Sequence, residues 1–195
     1  MNVITGLEKV YYAVMTNEVE ETYGEVKELG DGIEIGVTPT ENSSVLPAGN
    51  RDAIIESRAG ETNLTFTIPA MTTEAKMDIF GFKEAEEGGI IYNSNAIKPY
   101  IAIMFNKTLH GGAVEYVTLY KGKLSLNEDK AKTISNGQVE FQTPQFSGKF
   151  VQLKNGDSQH VIRSTDKNFN AENWAKTWGV SVVKATEKVS LPAQE

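Results

Sequence analysis

Apolar and polar residues alternate with a period of two over much of this chain, the pattern of strands with one buried face. Leu64, Phe66 and Ile68 alternate with Thr65 and Thr67 in the clearest case. Ile33, Ile35 and Val37 alternate with Glu34 and Gly36, and Val139 and Phe141 flank Glu140. Val114 to Leu126 is β-rich throughout, and Ile54-Ile55 and Val180 to Val183 add shorter strand candidates. Tyr100 to Phe105 differs from all of these. It is apolar at every position, so it reads as a strand covered on both sides.

Turn formers separate these runs: Gly30-Asp31-Gly32, Gly88-Gly89, Gly111-Gly112 and Asn136-Gly137. Asn136-Gly137 is the best hairpin-turn candidate. Two short helices interrupt the alternation. The first spans about Thr73 to Phe80, with Thr72 as its N-cap, Glu74 in its first turn and Gly81 as its left-handed stop. Ala75 and Ile79 would share the face that docks on a sheet. The second spans about Ala171 to Trp178, capped by Asn170 and ended by Gly179. In it Phe169 and Trp174 stand at the two positions of a hydrophobic staple, and Trp178 follows Trp174 one turn later.

Two stretches lack periodicity and read as long loops. Residues 38–52 (TPTENSSVLPAGNRD) hold two prolines and several turn formers, and residues 150–168 are polar around Asn155-Gly156-Asp157. Residues 189–195 read as a frayed tail. Loops of this length in a compact domain are functional or become ordered against a partner. Within 38–52, Val45 and Leu46 are apolar residues in a polar setting. This marks Val45, Leu46, Pro47 and Asn50 as candidate contacts with a neighbouring subunit. No linker divides the chain, so its 195 residues are expected to form one mainly-β domain.

Composition narrows the function classes. With 39% hydrophobic and 23% charged residues the chain can build a core. The longest apolar run, Tyr100 to Phe105, is too short for a membrane span, and the N-terminus MNVITGLEKVYYAV has no secretory pattern. Cysteine is absent, which excludes disulfides, thiolate metal sites and a cysteine nucleophile. A net charge of -7 and a pI near 5.0, with scattered lysines, argue against binding DNA by phosphate neutralisation.

Candidate chemistry dissolves under the same scrutiny. His110 precedes Gly111-Gly112 and reads as a turn residue, and His160, the only other histidine, reads as a surface one. Asp166 to Asn170 begins like a calcium loop, but Ala171 and Thr177 stand where that motif needs glycine and glutamate. It reads as a helix-capping turn instead. Gly30, Gly32 and Gly36 lead into a strand, whereas a phosphate-cradling loop must open a helix. No serine sits in a nucleophile elbow. Glu18, Glu20 and Glu21, and Glu84, Glu86 and Glu87, read as solvated acidic loops, since hydrolytic carboxylates must face each other across a cleft. The expectation is a protein without catalysis, metal or cofactor.

The order of features resembles one family, the major tail proteins of long-tailed, non-contractile phages and prophages of Gram-positive bacteria. Three stretches carry the resemblance. The first is Gly6-Leu7-Glu8-Lys9-Val10-Tyr11-Tyr12-Ala13 with Tyr23-Gly24 and Gly32-Ile33-Glu34-Ile35. The second is Asn63 to Pro69 leading to a short helix ended by Gly81. The third is Pro99 to Phe105 followed by Tyr116 to Lys123. Pro144 to Phe150 and the late tryptophans also fit. Ala48-Gly49-Asn50 departs from the family pattern, which often has an acidic residue there.

The resemblance implies a β-sandwich or partly open barrel of the tail-tube type, flanked by a short helix, with a second short C-terminal helix. It implies hexameric rings stacked into a virion tube through which DNA passes without specific binding. The implied partners are a tape-measure protein and the tail terminator and baseplate proteins, with synthesis in the host cytoplasm and no membrane anchor. An acidic subunit suits a bore that repels phosphate. Alternatives are another tail, baseplate or secretion-tube component of the same fold, a carbohydrate-binding β-sandwich, or a glycosidase using paired carboxylates.

Overall fold

A computed structural model describes residues 3–48, 51–128 and 142–186. Strand accounts for 56% and helix for 9%, so the fold is mainly β with two short helices. Along the chain the elements are β1 (Ile4–Asn17), β2 (Thr22–Asp31), β3 (Glu34–Ala48) and β4 (Arg51–Thr67), then α1 (Thr73–Phe80) and a small ribbon of β5 (Lys83–Glu84) and β6 (Ile90–Ile91). They continue with β7 (Ile101–Leu109), β8 (Val114–Glu128), β9 (Gln145–Val151), β10 (Gln159–Arg163) and α2 (Ala171–Thr177).

The main sheet is antiparallel throughout, in the order β2-β1-β7-β8-β9-β4-β3, with β10 also paired to β8. Its two outermost strands are consecutive in sequence. In a flat sheet six strand spacings would hold β2 and β3 about 29 Å apart. The link from Asp31 to Glu34 spans three Cα steps, at most about 11 Å. The sheet must therefore curl until its edges approach, and Gly32 and Ile33 hold that junction. The Gly32 N–H donates to Glu8 O on one side at 2.8 Å, and the Ile33 N–H donates to Thr67 O on the other at 2.9 Å. Of the two architectures expected, this is the partly open barrel.

Period-two alternation fills the barrel. Tyr12, Phe66, Ile103, Phe105, Phe146 and Phe150 all fall in one buried cluster. Helix α1 packs one face on this core, burying Ala75, Ile79 and Phe80 in the same cluster. Its ends are set as the sequence predicts. The Thr72 side chain accepts from the Ala75 N–H, and Gly81 stops the helix at φ 68°. The Tyr12 hydroxyl donates to Asp78 at 2.9 Å, and Lys27, paired across from Tyr12, bridges Glu74 and Asp78. These bonds fix α1 to β1 and β2.

The outer face of β1, β7 and β8 is covered as well. Trp178 packs on Tyr11 and Tyr116, and Val182 packs near Ala13, Met15 and Met104. That second cover explains why β7 is buried from Ile101 to Asn106 without a break, as the unbroken apolar run predicted. The staple at α2 also forms: Asn170 accepts from the Asn173 N–H, the Phe169 and Trp174 rings lie 6.2 Å apart, and Trp174 stacks on Trp178 at 5.9 Å. Gly179 follows at φ 72°.

Several expectations need correction. Residues 38–48 and 51–52 are not a loop, because β3 and β4 run through them as paired strands, while Gly49 and Asn50 lie outside the described residues. Residues 150–168 contain the end of β9 and the whole of β10. Val180 to Val183 is not a strand. It is an irregular strap tied to one side chain, with the Tyr120 hydroxyl donating to Val183 O and accepting from the Ala185 N–H. The strand around Val139 and Phe141, the Asn136-Gly137 turn and the tail at 189–195 lie outside the described residues.

Candidate assembly surface

The hairpin of β3 and β4 is joined to the body over only part of its length. β9 pairs with β4 from Thr62 to Thr67, against Phe150 to Gln145. Beyond Thr62 the two strands continue alone, in register from Glu41↔Ala59 to Ala48↔Arg51. The nine residue steps from Pro39 to Ala48 make an arm about 30 Å long at about 3.3 Å per step. The Thr40 hydroxyl on Glu61 O and the Lys149–Glu61 ion pair at 2.6 Å brace its root. Pro39 and Pro47 are accommodated because each register shift in this ribbon lies beside one of them, between Pro39 and Glu41 and between Leu46 and Pro47.

The arm has no core. Residues 41–47 and 54–59 are exposed without exception. Yet its tip is apolar: Val45, Leu46, Ile54 and Ile55 are 47%, 58%, 54% and 67% exposed. Val45 pairs with Ile55 and Leu46 pairs with Ile54. Partners directly opposite share a face, and successive residues alternate faces. The tip therefore carries one apolar pair on each of its two faces. Two-stranded ribbons are marginal in water by themselves, and an exposed apolar edge invites pairing. Of the residues singled out by sequence, Val45, Leu46 and Pro47 sit on this arm, while Asn50 lies outside the described residues. Ile54 and Ile55 were read as strand but not as contact residues; their register with Leu46 and Val45 makes them so.

The residues considered for chemistry fall elsewhere. His110 lies exposed in the turn between β7 and β8. His160 is half-buried rather than simply solvent-facing: it sits in β10 opposite Thr118, packed edge-on against Trp174, with its Nδ1 buried and without a hydrogen-bond partner among the described residues. Burial pushes its pKa below the ordinary value. Asp166 accepts from the Arg163 N–H at 2.8 Å and Asn170 caps α2, so this segment works as the capping turn the sequence indicated.

Glu18 and Glu20 are exposed, but Glu21 is not a solvated loop carboxylate. It is 6% exposed, holds φ 54°, accepts from the Lys154 N–H and pairs with Lys121. Glu115, equally buried, is gripped by Lys107 at 3.2 Å and Arg163 at 2.7 Å. Burial alone would raise its pKa, but those two hydrogen bonds outweigh burial and hold the carboxyl below the ordinary value. Glu21 and Glu115 tie strands and loops together, and each is neutralised by cations of the fold itself.

No helix among the described residues is long and apolar enough to cross a membrane. Among the described residues no group of three or more acidic, histidine or cysteine side chains is placed to hold a metal ion. A scan against models of protein families matches none of them to this chain, and a search of curated proteins finds no match either.

Proposed function

We propose that this chain is the structural subunit of a non-contractile phage tail tube, assembling into hexameric rings that stack around a conduit for DNA. The observation that carries the reading is the arm. It extends beyond the strands that pair with the barrel and is apolar at its tip on both faces, the kind of surface that marks an interaction site. A neighbouring subunit is the cover a homopolymeric tube supplies. The resemblance of the sequence to major tail proteins and the barrel with its flanking helix support the same reading. A net charge of -7 per subunit suits a bore from which DNA phosphates slide away.

Negative-stain microscopy at high protein concentration tests the proposal. Rings or long tubes are the expected particles. Deleting residues 45–50 should abolish them while leaving the β-type circular dichroism of the monomer intact. Only isolated globular particles from the intact chain, or tubes of normal length from the deletion, would overturn it.

A further inference from the structure

We infer that the arm tip of one copy docks in an aromatic groove at the opposite end of a second copy, so that copies join head to tail. The inference rests on the reading of the arm as an assembly element and names the surface that receives it. The groove measures about 380 Å³ and is walled by Phe80, Phe82, Tyr92 and Leu126, with Lys76 and Lys98 on its rim. Phe82 and Tyr92 lie 4.6 Å apart, and Tyr92 is 63% exposed. Ile91 and Ile97, close by in sequence, are exposed too. This is the second concentration of exposed large apolar side chains among the described residues, the arm tip being the first.

Charge complements shape. Lys98 lies over the Phe80 ring and donates to Leu124 O, and neither Lys76 nor Lys98 has an ion-pair partner among the described residues. On the arm, Glu56 stands next to Ile55 and opposite Ser44, likewise without an ion pair among the described residues. Arg58 lies on the same face, two residues nearer the body, so Glu56 stands between it and the Leu46–Ile54 pair. An apolar tip with an acidic shoulder fits an aromatic groove with a basic rim.

Geometry excludes a copy docking with itself. Leu126 pairs with Phe146, and Phe146 with Phe66, so the groove lies at the level of Phe66 along the strands. Ile54 is twelve residues earlier on β4, about 40 Å away at 3.3 Å per residue. The ribbon is paired throughout that length and points away from the groove. A contact between unlike surfaces is heterologous, so every copy can take part in two of them, one through its arm and one through its groove, and copies add head to tail.

The chain has no cysteine, which makes site-directed cross-linking clean. Ser44→Cys on the arm and Ser125→Cys in the groove wall are introduced into separately tagged copies, which are mixed and treated with a short bismaleimide. Mixed dimers should form in excess over either homodimer. Glu56→Lys should lower their yield about tenfold, and Lys76→Glu in the groove copy should restore it. Homodimers in excess, no cross-link, or a yield indifferent to both charge reversals would overturn the docking. Tubes seen by microscopy without cross-links would sink the docking and keep the tail-tube reading. Cross-links without tubes would do the reverse.

Discussion

Strand β7 and the arm are the two extremes of this molecule. β7 runs through the middle of the sheet, apolar from Ile101 to Phe105, and is buried on both faces, inward against Phe66 and Phe146 and outward under Trp178 and Val182. The arm is also apolar on both faces at its tip, yet no described residue covers either one. In β7 the cover is the chain's own second layer. In the arm the same requirement has no answer among the described residues, which is why the cover is sought in another copy. The comparison teaches that apolar composition on both faces of a strand specifies neighbours on both sides, whether or not they belong to the same chain.

Substitution separates the two regions, with the largest effect expected in the barrel. Phe146 is fully buried and stacked on Phe66 at 5.1 Å and Phe80 at 6.5 Å. Phe146→Ala should cost about 3–5 kcal/mol, read as a lower denaturant midpoint. Glu21→Ala comes next. It leaves the Lys121 ammonium without its carboxylate and the Lys154 N–H without an acceptor, for a loss of about 1–3 kcal/mol. Leu46→Asp with Ile54→Asp should change monomer stability by no more than about 0.5 kcal/mol, because both side chains are solvated in the single copy. A large loss of monomer stability from the arm pair would erase the distinction between the regions.

The smallest effect should be a pH dependence at the outer cover. Partial burial against Trp174 favours the neutral form of His160, so its folded pKa lies below the ordinary value of about 6.5. The unfolded chain then binds the proton more readily, and stability falls as pH drops below about 6.5. Asp157, which favours the charged form, moderates the slope. His160→Phe should flatten this part of the stability–pH curve, measured by denaturant titration from neutral to mildly acid pH. Glu115 acts in a lower window. Its folded pKa is depressed by Lys107 and Arg163, so its contribution is present above the ordinary carboxylate range and is lost as pH falls through the folded value.

What was legible in the sequence follows from where water is. Leu64, Phe66 and Ile68 face a core on one side and solvent or polar neighbours on the other, so their alternation is plain. Thr72 and Gly81, like Asn170 and Gly179, announced the helices through local hydrogen bonding that needs no tertiary context. The arm reads as a loop in sequence because both its faces meet water, which removes the period of two, and because Pro39 and Pro47 punctuate it. β1 was missed for the opposite reason: from Val10 to Met15 it packs on both faces, and no alternation survives. β9 hides behind Gly148, which packs against β8 as Gly122 of β8 packs against β9. A Cβ at Gly122 would run into the Phe150 ring and one at Gly148 into Leu124, so glycine stands where an apolar side chain would have revealed the strand. The candidate surface was half legible, since Val45 and Leu46 stood out, but only the register brings Ile54 and Ile55 to them.

The most direct test of the claim that the arm is an assembly element is sedimentation velocity on the intact chain beside Leu46→Asp/Ile54→Asp at matched, high concentration. The account predicts fast-sedimenting assemblies for the intact chain and a single monomer boundary for the variant, with identical circular dichroism. A monomer boundary for the intact chain at every concentration, or assemblies of unchanged size from the variant, would contradict it.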